Sequence, residues 1–204
     1  MREKRHLDDE RTVLFYQALL EKHGHSFRAL NWGSAESQRK RFEVLSDVGM
    51  KSGDRILDVG CGLADFYAWI LEQNPGVNYT GIDITPSMTQ AALNRFPDVE
   101  ITNKTIFDLE VSVDVFDYVV ASGIFFLRRE DPMLHMEKVI SAMFQKSAKG
   151  IAFNSLSTWA LEKTEREFYA DPQKVLEFCR KLSPNIILRH DYHPADFTVY
   201  VFKR

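Results

Sequence analysis

The sequence predicts an α/β fold: a three-layer αβα sandwich on a seven-stranded, mostly parallel sheet whose last strand is antiparallel, with N-terminal helices ahead of it. Three observations predict it. Beyond about residue 50, short apolar runs alternate with segments of helical periodicity, the pattern of successive strand–helix–strand units. The run "VFDYVVAS" (115–122) is apolar along nearly its whole length, as a strand covered on both faces is. Only "HPA" (193–195) separates the last two strand-like runs. A parallel crossover needs a dozen residues or more, so these two form an antiparallel hairpin.

Taken in order, residues 8–23 place Val13, Leu14, Tyr16, Leu19 and Leu20 at helical spacing and end at Gly24. "FRALNWGS" (27–34) interrupts, and a second helix runs from Ala35 to Val48, closed by Gly49. "DRILDV" (54–59) is the first strand, Ala64–Gln73 a helix and "VNYTGID" (77–83) the second strand. Pro86–Phe96 is helical, with Thr85 as N-cap and a proline in its first turn. "VEITN" (99–103) is a third, more exposed strand; after the apolar fourth come a helix over Pro132–Gln145 and a fifth strand, "GIAFNSL" (150–156). Asp171-Pro172 opens another helix, and "NIILRHDY" (185–192) and "DFTVYVFK" (196–203) make the closing hairpin. Without repeats or low-complexity segments, the 204 residues are one expected domain, with N-terminal helices or lid over 1–50 and the α/β core over 51–204.

Composition narrows the function. With 45% apolar and 27% charged residues the chain can bury a core and is of soluble globular type. A net charge of −3 offers no basic footprint for nucleic acid; of the consecutive Arg39, Lys40 and Arg41, the first two fit a solvated helix face. The two cysteines, Cys61 and Cys179, have neither metal-ligand spacing nor a disulfide partner pattern, so no metal is expected and a reducing, cytoplasmic location is. "MREKRHLDDERTV" has no apolar core and is no secretory signal. No apolar run approaches the roughly 18 residues of a membrane helix, so no membrane partner is expected. Either a monomer or a dimer is compatible with these properties.

The ligand signal is "RILDVGCGLADF" (55–66), an apolar strand running through Gly60-Cys61-Gly62 into a helix. Glycines at such a place let a ligand approach the backbone, although they also merely shape strand-to-helix turns. A dinucleotide turn would carry its third glycine where Asp65 stands. Asp58 before the turn disfavours a pyrophosphate and suits an ammonium group. Asp83 ends the second strand, 21 residues beyond Gly62, where a carboxylate accepts from both hydroxyls of a ribose. The charges together describe an adenosine carrying a cationic, amino-acid-like tail.

"LDVGCGLA" (57–64) resembles the first motif of the class I, Rossmann-like, S-adenosylmethionine-dependent methyltransferases, and the likeness extends in strand order over about residues 30–204. Asp58, Gly60 and Gly62 fall on the family's acid-x-Gly-x-Gly pattern; the last small position, usually glycine, is Ala64. The resemblance implies S-adenosyl-L-methionine as cofactor and S-adenosyl-L-homocysteine as product. It places Asp83, with Ile84 beside it, at the ribose, and Met88 against the adenine. Cys61 would contact the ligand through backbone or packing, not as a nucleophile. Where related chains carry Gly-Asp-Ile-Phe-Asp-Leu, this one has "KTIFDL" (104–109), so Thr105, the Ile106 amide and Phe107 stand at the adenine, with Asp108 as a second candidate. Ser122 ends the fourth strand beside the methionine portion.

The run "NWGSAESQRKRF" (31–42) looks like the lid helix found in methyltransferases of this build. Ser34, Gln38 and Arg41 share one helix face; Arg41 is positioned to pair with the cofactor carboxylate and Trp32 to shield a sulfonium. An ordinary amphipathic helix, with Phe42, Leu45 and Val48 in the core, explains the same pattern. Acceptor residues are sought at the ends of the fourth to sixth strands: Ser122, Phe125, Asn154, with Trp159, Phe168 and Tyr169 as walls. His190, Asp191, Tyr192 and His193 are the candidates for proton removal. Strand alternation would turn either His190 and Tyr192, or Asp191 and His193, inward.

A sulfonium is an activated methyl donor, so transfer needs mainly alignment and exclusion of water. "ASGIF" (121–125) lacks the Asn/Asp-Pro-Pro-aromatic run of enzymes that methylate amino groups of bases or glutamine, and neither cysteine follows a proline as a cytosine C5 nucleophile would. A small-molecule acceptor, methylated on oxygen or nitrogen, is expected. A protein side chain or terminus, or a non-catalytic cofactor-binding module, are the alternatives; Asp65 and the reversed hairpin speak against a nicotinamide enzyme.

Overall fold

Alternation along β1 (Arg55–Val59) sends Ile56 and Asp58 to one face of the sheet and Leu57 and Val59 to the other, and a separate core forms on each face. The computed structural model describes residues 2–110 and 113–203, with side chains from Leu7 onward. Its strands are β1, β2 (Asn78–Asp83), β3 (Glu100–Asn103), β4 (Phe116–Ala121), β5 (Ser147–Leu156), β6 (Ile186–Arg189) and β7 (Asp196–Phe202). They form a seven-stranded sheet in the order β3-β2-β1-β4-β5-β7-β6. Only β7 is antiparallel, to β5 and to β6, as the short link over residues 190–195 requires.

The helices are α1 (Arg2–His23), α2 (Ala35–Ser46), α3 (Asp65–Gln73), α4 (Pro86–Arg95), α5 (Pro132–Lys146) and α6 (Pro172–Leu182), with a 3-10 turn at Phe27–Leu30. On the Ile56 face, Phe42 and Leu45 of α2, Phe66 and Ile70 of α3 and Ala92 of α4 pack against Tyr79 and Val120. On the Leu57 face, Met136, Ile140 and Met143 of α5 and Val175 and Cys179 of α6 pack against Val119, Ile151 and Val199. These are the three expected layers. Local chemistry sets the helix starts: Ser34 accepts the Ser37 N–H (3.0 Å), Asp131 that of Leu134 (3.1 Å) and Asp171 that of Gln173 (2.9 Å). Thr85 caps α4 by position alone, without a side-chain hydrogen bond.

Two elements differ from expectation in ways that matter for the site. β6 stops at Arg189, because the Arg189 guanidinium turns back on Asp191 (2.8 and 3.0 Å) and the chain bends before β7. Residues 190–193 therefore lie in a turn, not on an alternating strand. The N-terminal helices also separate in role. α2 lies on the sheet face with Phe42, Val44 and Leu45 buried, whereas α1 runs across the strand ends. Its Tyr16 and Leu20 pack with Ala29, Leu63 and Met88, and Phe15 and Tyr16 meet Phe126 beyond β4 at 6.0 and 6.4 Å between ring centroids. Strand order reverses between β1 and β4, the place where open α/β sheets bind ligands, and α1 roofs that place.

Candidate functional site

The turn after β1 is a rigid piece of backbone. Gly60 and Gly62 have φ of +75° and +53°. A Cβ on Gly60 would lie 2.3 Å from Ile124 Cγ2, and one on Gly62 would lie 2.6 Å from Leu30 Cδ2. Both positions thus need glycine for conformation and for space. Gly60 and Cys61 donate their N–H groups to the Ile82 carbonyl (2.8 and 3.0 Å). Asp83 completes the weld: Oδ2 accepts the Gly62 N–H at 2.9 Å and Oδ1 the Thr85 N–H at 2.8 Å. Ala64, which follows, is buried in the left-handed conformation at φ 57°, so it occupies a glycine position without being one.

Around this turn lies a cleft between the strand ends and α1. Its floor is Asp58–Gly62, Asp83–Thr85 and Met88; one wall is Thr105–Phe107; the other is Trp32 with Ser122–Ile124. Asp58 is 3% exposed and its carboxylate accepts the Tyr79 hydroxyl at 2.7 Å. Burial first, and the charge of Asp83 next among the raising influences, push its carboxyl up to about 7, against the Tyr79 hydrogen bond. Burial also raises Asp83, opposed by the Thr85 and Gly62 N–H groups. Among the described residues neither carboxylate has a cation within ion-pair distance. Buried charge of that kind is costly unless compensated, so the floor of the cleft is complementary to a cationic ligand. The Thr85 hydroxyl, buried on the cleft floor, makes no hydrogen bond of good geometry among the described residues.

The cleft brings together twelve of the thirteen cofactor candidates: Trp32, Asp58, Gly60, Cys61, Gly62, Asp83, Ile84, Met88, Thr105, Ile106, Phe107 and Ser122. Arg41 is not among them. Its guanidinium is 5% exposed, ion-paired with Asp196 and bonded to the Ser37 carbonyl at 2.8 Å, and it covers the Trp32 ring at 4.9 Å. The cation expected at a ligand carboxylate is consumed inside the protein, and the Trp32 face expected at a sulfonium carries Arg41. Asp65 is neutralised by Arg95 at 2.5 Å and held by Gln38 at 3.1 Å, so it ties α2 and α4 to the turn. Cys61 is buried and its thiol is pushed well up by burial and by two nearby carboxylates, which fits packing and not nucleophilic chemistry. The Thr105 hydroxyl bonds Asp108 at 2.5 Å and accepts the Phe107 N–H at 3.2 Å; Asp108 itself stays off the cleft wall.

The four proton-removal candidates also lie away from the cleft. His190 is stacked between Trp159 (5.1 Å) and Phe197 (6.3 Å). Asp191 is bound by Arg189, which lowers its carboxyl. Tyr192 shares a hydrogen bond with Thr198 at 2.8 Å, and His193 Nδ1 is 2.9 Å from Asp196. They belong to the turn that leads into Asp196, the partner of Arg41. Asn154 acts on the cleft from behind: its side chain accepts the Gly123 N–H (2.8 Å) and donates to the Ser122 hydroxyl (2.9 Å). Phe125 is buried in the core, and Trp159, Phe168 and Tyr169 do not reach the cleft.

In their place the roof supplies Asp9, Thr12 and Tyr16 of α1, with Arg129 and His135 following β4. Arg129 is held by Asp9 at 2.8 Å and by the Thr12 hydroxyl at 3.3 Å. Burial, with Asp83 nearby, raises the Tyr16 phenol, so it stays protonated as a donor. The spacing of Asp9, Thr12 and Tyr16 along one helix face was visible in the sequence; nothing local showed what that face covers.

Residues 57–143 match the family model described as a methyltransferase domain. A Mycobacterium tuberculosis protein named "Putative methyltransferase Rv1506c" is 33% identical over 156 residues, 72% of this chain and 92% of its own length. The chain belongs to the class I S-adenosylmethionine-dependent methyltransferase family. In fold, this methyltransferase is similar to the Haemonchus contortus phosphoethanolamine N-methyltransferase 2 (TM-score 0.66, 16% identity, 85% of this chain and 46% of that one). It is also similar to an S-adenosylmethionine-dependent methyltransferase of Mesorhizobium loti (TM-score 0.61, 18% identity, 85% of this chain and all of that one). A Paenibacillus malonyl-[acyl-carrier protein] O-methyltransferase (30% identity) and a Paracidovorax citrulli trans-aconitate 2-methyltransferase (31%) match over only 30% and 27% of their own lengths. The family's cofactor is S-adenosylmethionine, and the methyltransferase's cleft fits it: glycines where backbone must be approached, and buried acids without a cation. No helix among the described residues is long and apolar enough to cross a membrane, and no cluster of metal-ligating side chains is found among them.

Proposed function

We propose that this methyltransferase acts on a small-molecule acceptor, received whole beneath α1 and methylated on oxygen or nitrogen. The roofed shape of the cleft carries the reading: Asp9, Thr12 and Tyr16 stand over the same space that Asp58 and Asp83 floor. A protein side chain presented from a folded partner would need an open approach there. In this reading Asp83 holds the ribose hydroxyls, Asp58 meets the ammonium of the amino-acid tail, and Met88, Ile84 and Thr105–Phe107 enclose the adenine. Gly60, Cys61 and Gly62 give backbone contact, and Ser122 and Trp32 border the reacting end. Bound S-adenosylmethionine supplies an activated methyl group; the chain's own residues bind, align and exclude water.

The acceptor half of the cleft is lined by Tyr16, Thr12, Arg129 and His135, with Ile124 and Val139 as apolar contacts. Tyr16 orients a polar acceptor through its phenol O–H. An acceptor that arrives ionised, such as a carboxylate, needs no base, which agrees with the distance of residues 190–193 from the cleft. Trans-aconitate and malonyl thioesters, named for two relatives, are therefore the first acids to test, alongside small amines and phenols. Transfer of radiolabelled methyl from S-adenosylmethionine to such a panel is the experiment. Labelling of at least one small molecule is expected; labelling of proteins alone would overturn the reading. Both cysteines are buried thiols, which suits work in a reducing cytoplasm.

A further inference from the structure

Asp58 stands opposite Gly81 in the β1–β2 ladder, two pairs beyond Ile56 and Tyr79. Side chains at alternate positions share a face, so Tyr79 and Asp58 lie on the same side of the sheet with only a glycine beside the acid. A Cβ on Gly81 would lie 2.9 Å from Cys61 Sγ and 3.2 Å from Tyr79 Cε1. The space left by that side chain is filled by the Tyr79 ring and the Cys61 thiol. Tyr79 is itself pinned by Tyr67 of α3, ring to ring at 4.8 Å. Its hydroxyl, buried within the protein, ends at Asp58 Oδ2, 2.7 Å away. The floor of the cleft thus has a phenol fixed beneath a carboxylate whose other side faces the ligand space.

We propose that Tyr79 is a positioning residue for cofactor capture: its phenol fixes the Asp58 carboxylate in the ionised form that receives the ammonium of the cofactor's amino-acid tail. This rests on the role given to Asp58 above. A carboxylate in this setting is pressed to take up a proton, by burial and by Asp83 of β2; the Tyr79 hydrogen bond works against that pressure. The other ionisable groups facing it are Cys61 of the turn, held as a thiol, and Tyr16 of α1, which faces Asp83 and stays a phenol. Asp65 of α3 is already paired with Arg95. Tyr79 is thus the group that favours charge on Asp58 before any ligand enters.

The test is the affinity of the full chain for S-adenosylhomocysteine, measured by titration calorimetry between about pH 5.5 and 8.5. Wild type should bind more tightly as pH rises, in one step that ends on a plateau. In Tyr79→Phe the step should move up by about one pH unit, so that binding is about tenfold weaker below the step and equal on the plateau. Asp58→Asn should show no step, and 5′-methylthioadenosine, which has no ammonium group, should show none with any variant. A Tyr79→Phe protein weakened by the same factor at every pH, or not at all, overturns the proposal. If Asp58→Asn keeps the wild-type step, the role of Asp58 itself is wrong. The step's position is read within each variant, so partial loss of folding does not move it.

Discussion

Asp83 and Gly62 are bound to each other: the carboxylate ending β2 accepts the N–H of the turn after β1 at 2.9 Å. The acid assigned to the ribose is therefore also a strut of the glycine turn. A ligand at about 100 times its dissociation constant adds about 2.7 kcal/mol of stability. A thermal shift of that order is expected with S-adenosylmethionine or S-adenosylhomocysteine and none with NAD. Asp83→Ala should abolish most of it. An unchanged affinity in that variant, measured by calorimetry, would falsify the ribose assignment.

Asp58 makes the ligand-free protein pH-dependent. Its carboxyl rises from 3.8 to about 7 on folding, so the folded state holds a proton that the unfolded state has released. The contribution to stability is fully present below about pH 4 and is lost as pH rises through about 7. Asp58→Asn should consequently stabilise the ligand-free chain by about 1–3 kcal/mol in urea melts near pH 8, with a smaller gain near pH 5. Equal gains at both pH values would remove the carboxyl as the cause.

Arg41 and Asp196 form an ion pair whose side chains are 6% and 5% exposed. Removing one partner of such a pair strands the other, at a cost of about 3–5 kcal/mol. Asp196→Ala should lose that much in denaturant melts. Arg41→Met combined with Asp196→Leu should lose clearly less. Affinity for S-adenosylhomocysteine in the folded double variant is expected within about threefold of wild type, because Arg41 lies off the cleft. A large loss of affinity there would return Arg41 to the ligand.

Ala64 holds a left-handed conformation that costs a residue with a Cβ about 1–2 kcal/mol. Glycine relieves that cost and gives part back through the freer unfolded chain. Ala64→Gly should stabilise by roughly 0.5–1 kcal/mol, raising Tm by about 1–4 °C. A fall in Tm would show that the methyl group's packing outweighs the strain.

Most of the layered fold was legible because strand and helix periods differ and because the β6–β7 link is too short for a crossover. β6 was read too long: "RHDYH" continues the alternation of "NIIL", and only the Arg189–Asp191 contact, formed by the bend itself, stops it. The cleft floor was legible since its residues sit in one short turn and one strand end. The roof was not, because amphipathic spacing tells which residues share a face and not what they face. Arg41 shows the same limit: its partner Asp196 lies 155 positions along the chain, and no local pattern links the two.

That separation has a consequence for how the cleft comes into being. Asp9 waits for Arg129, 120 positions later, and α2 waits for β7, whose Tyr200 hydroxyl bonds the Val44 carbonyl. Each helix is thus made well before the residues that hold it in place. Contacts so distant in sequence slow folding, so a nascent chain has a glycine turn long before it has a roofed chamber. Methyl transfer would begin only once Arg129 has been made and has docked against the helix that roofs the cleft.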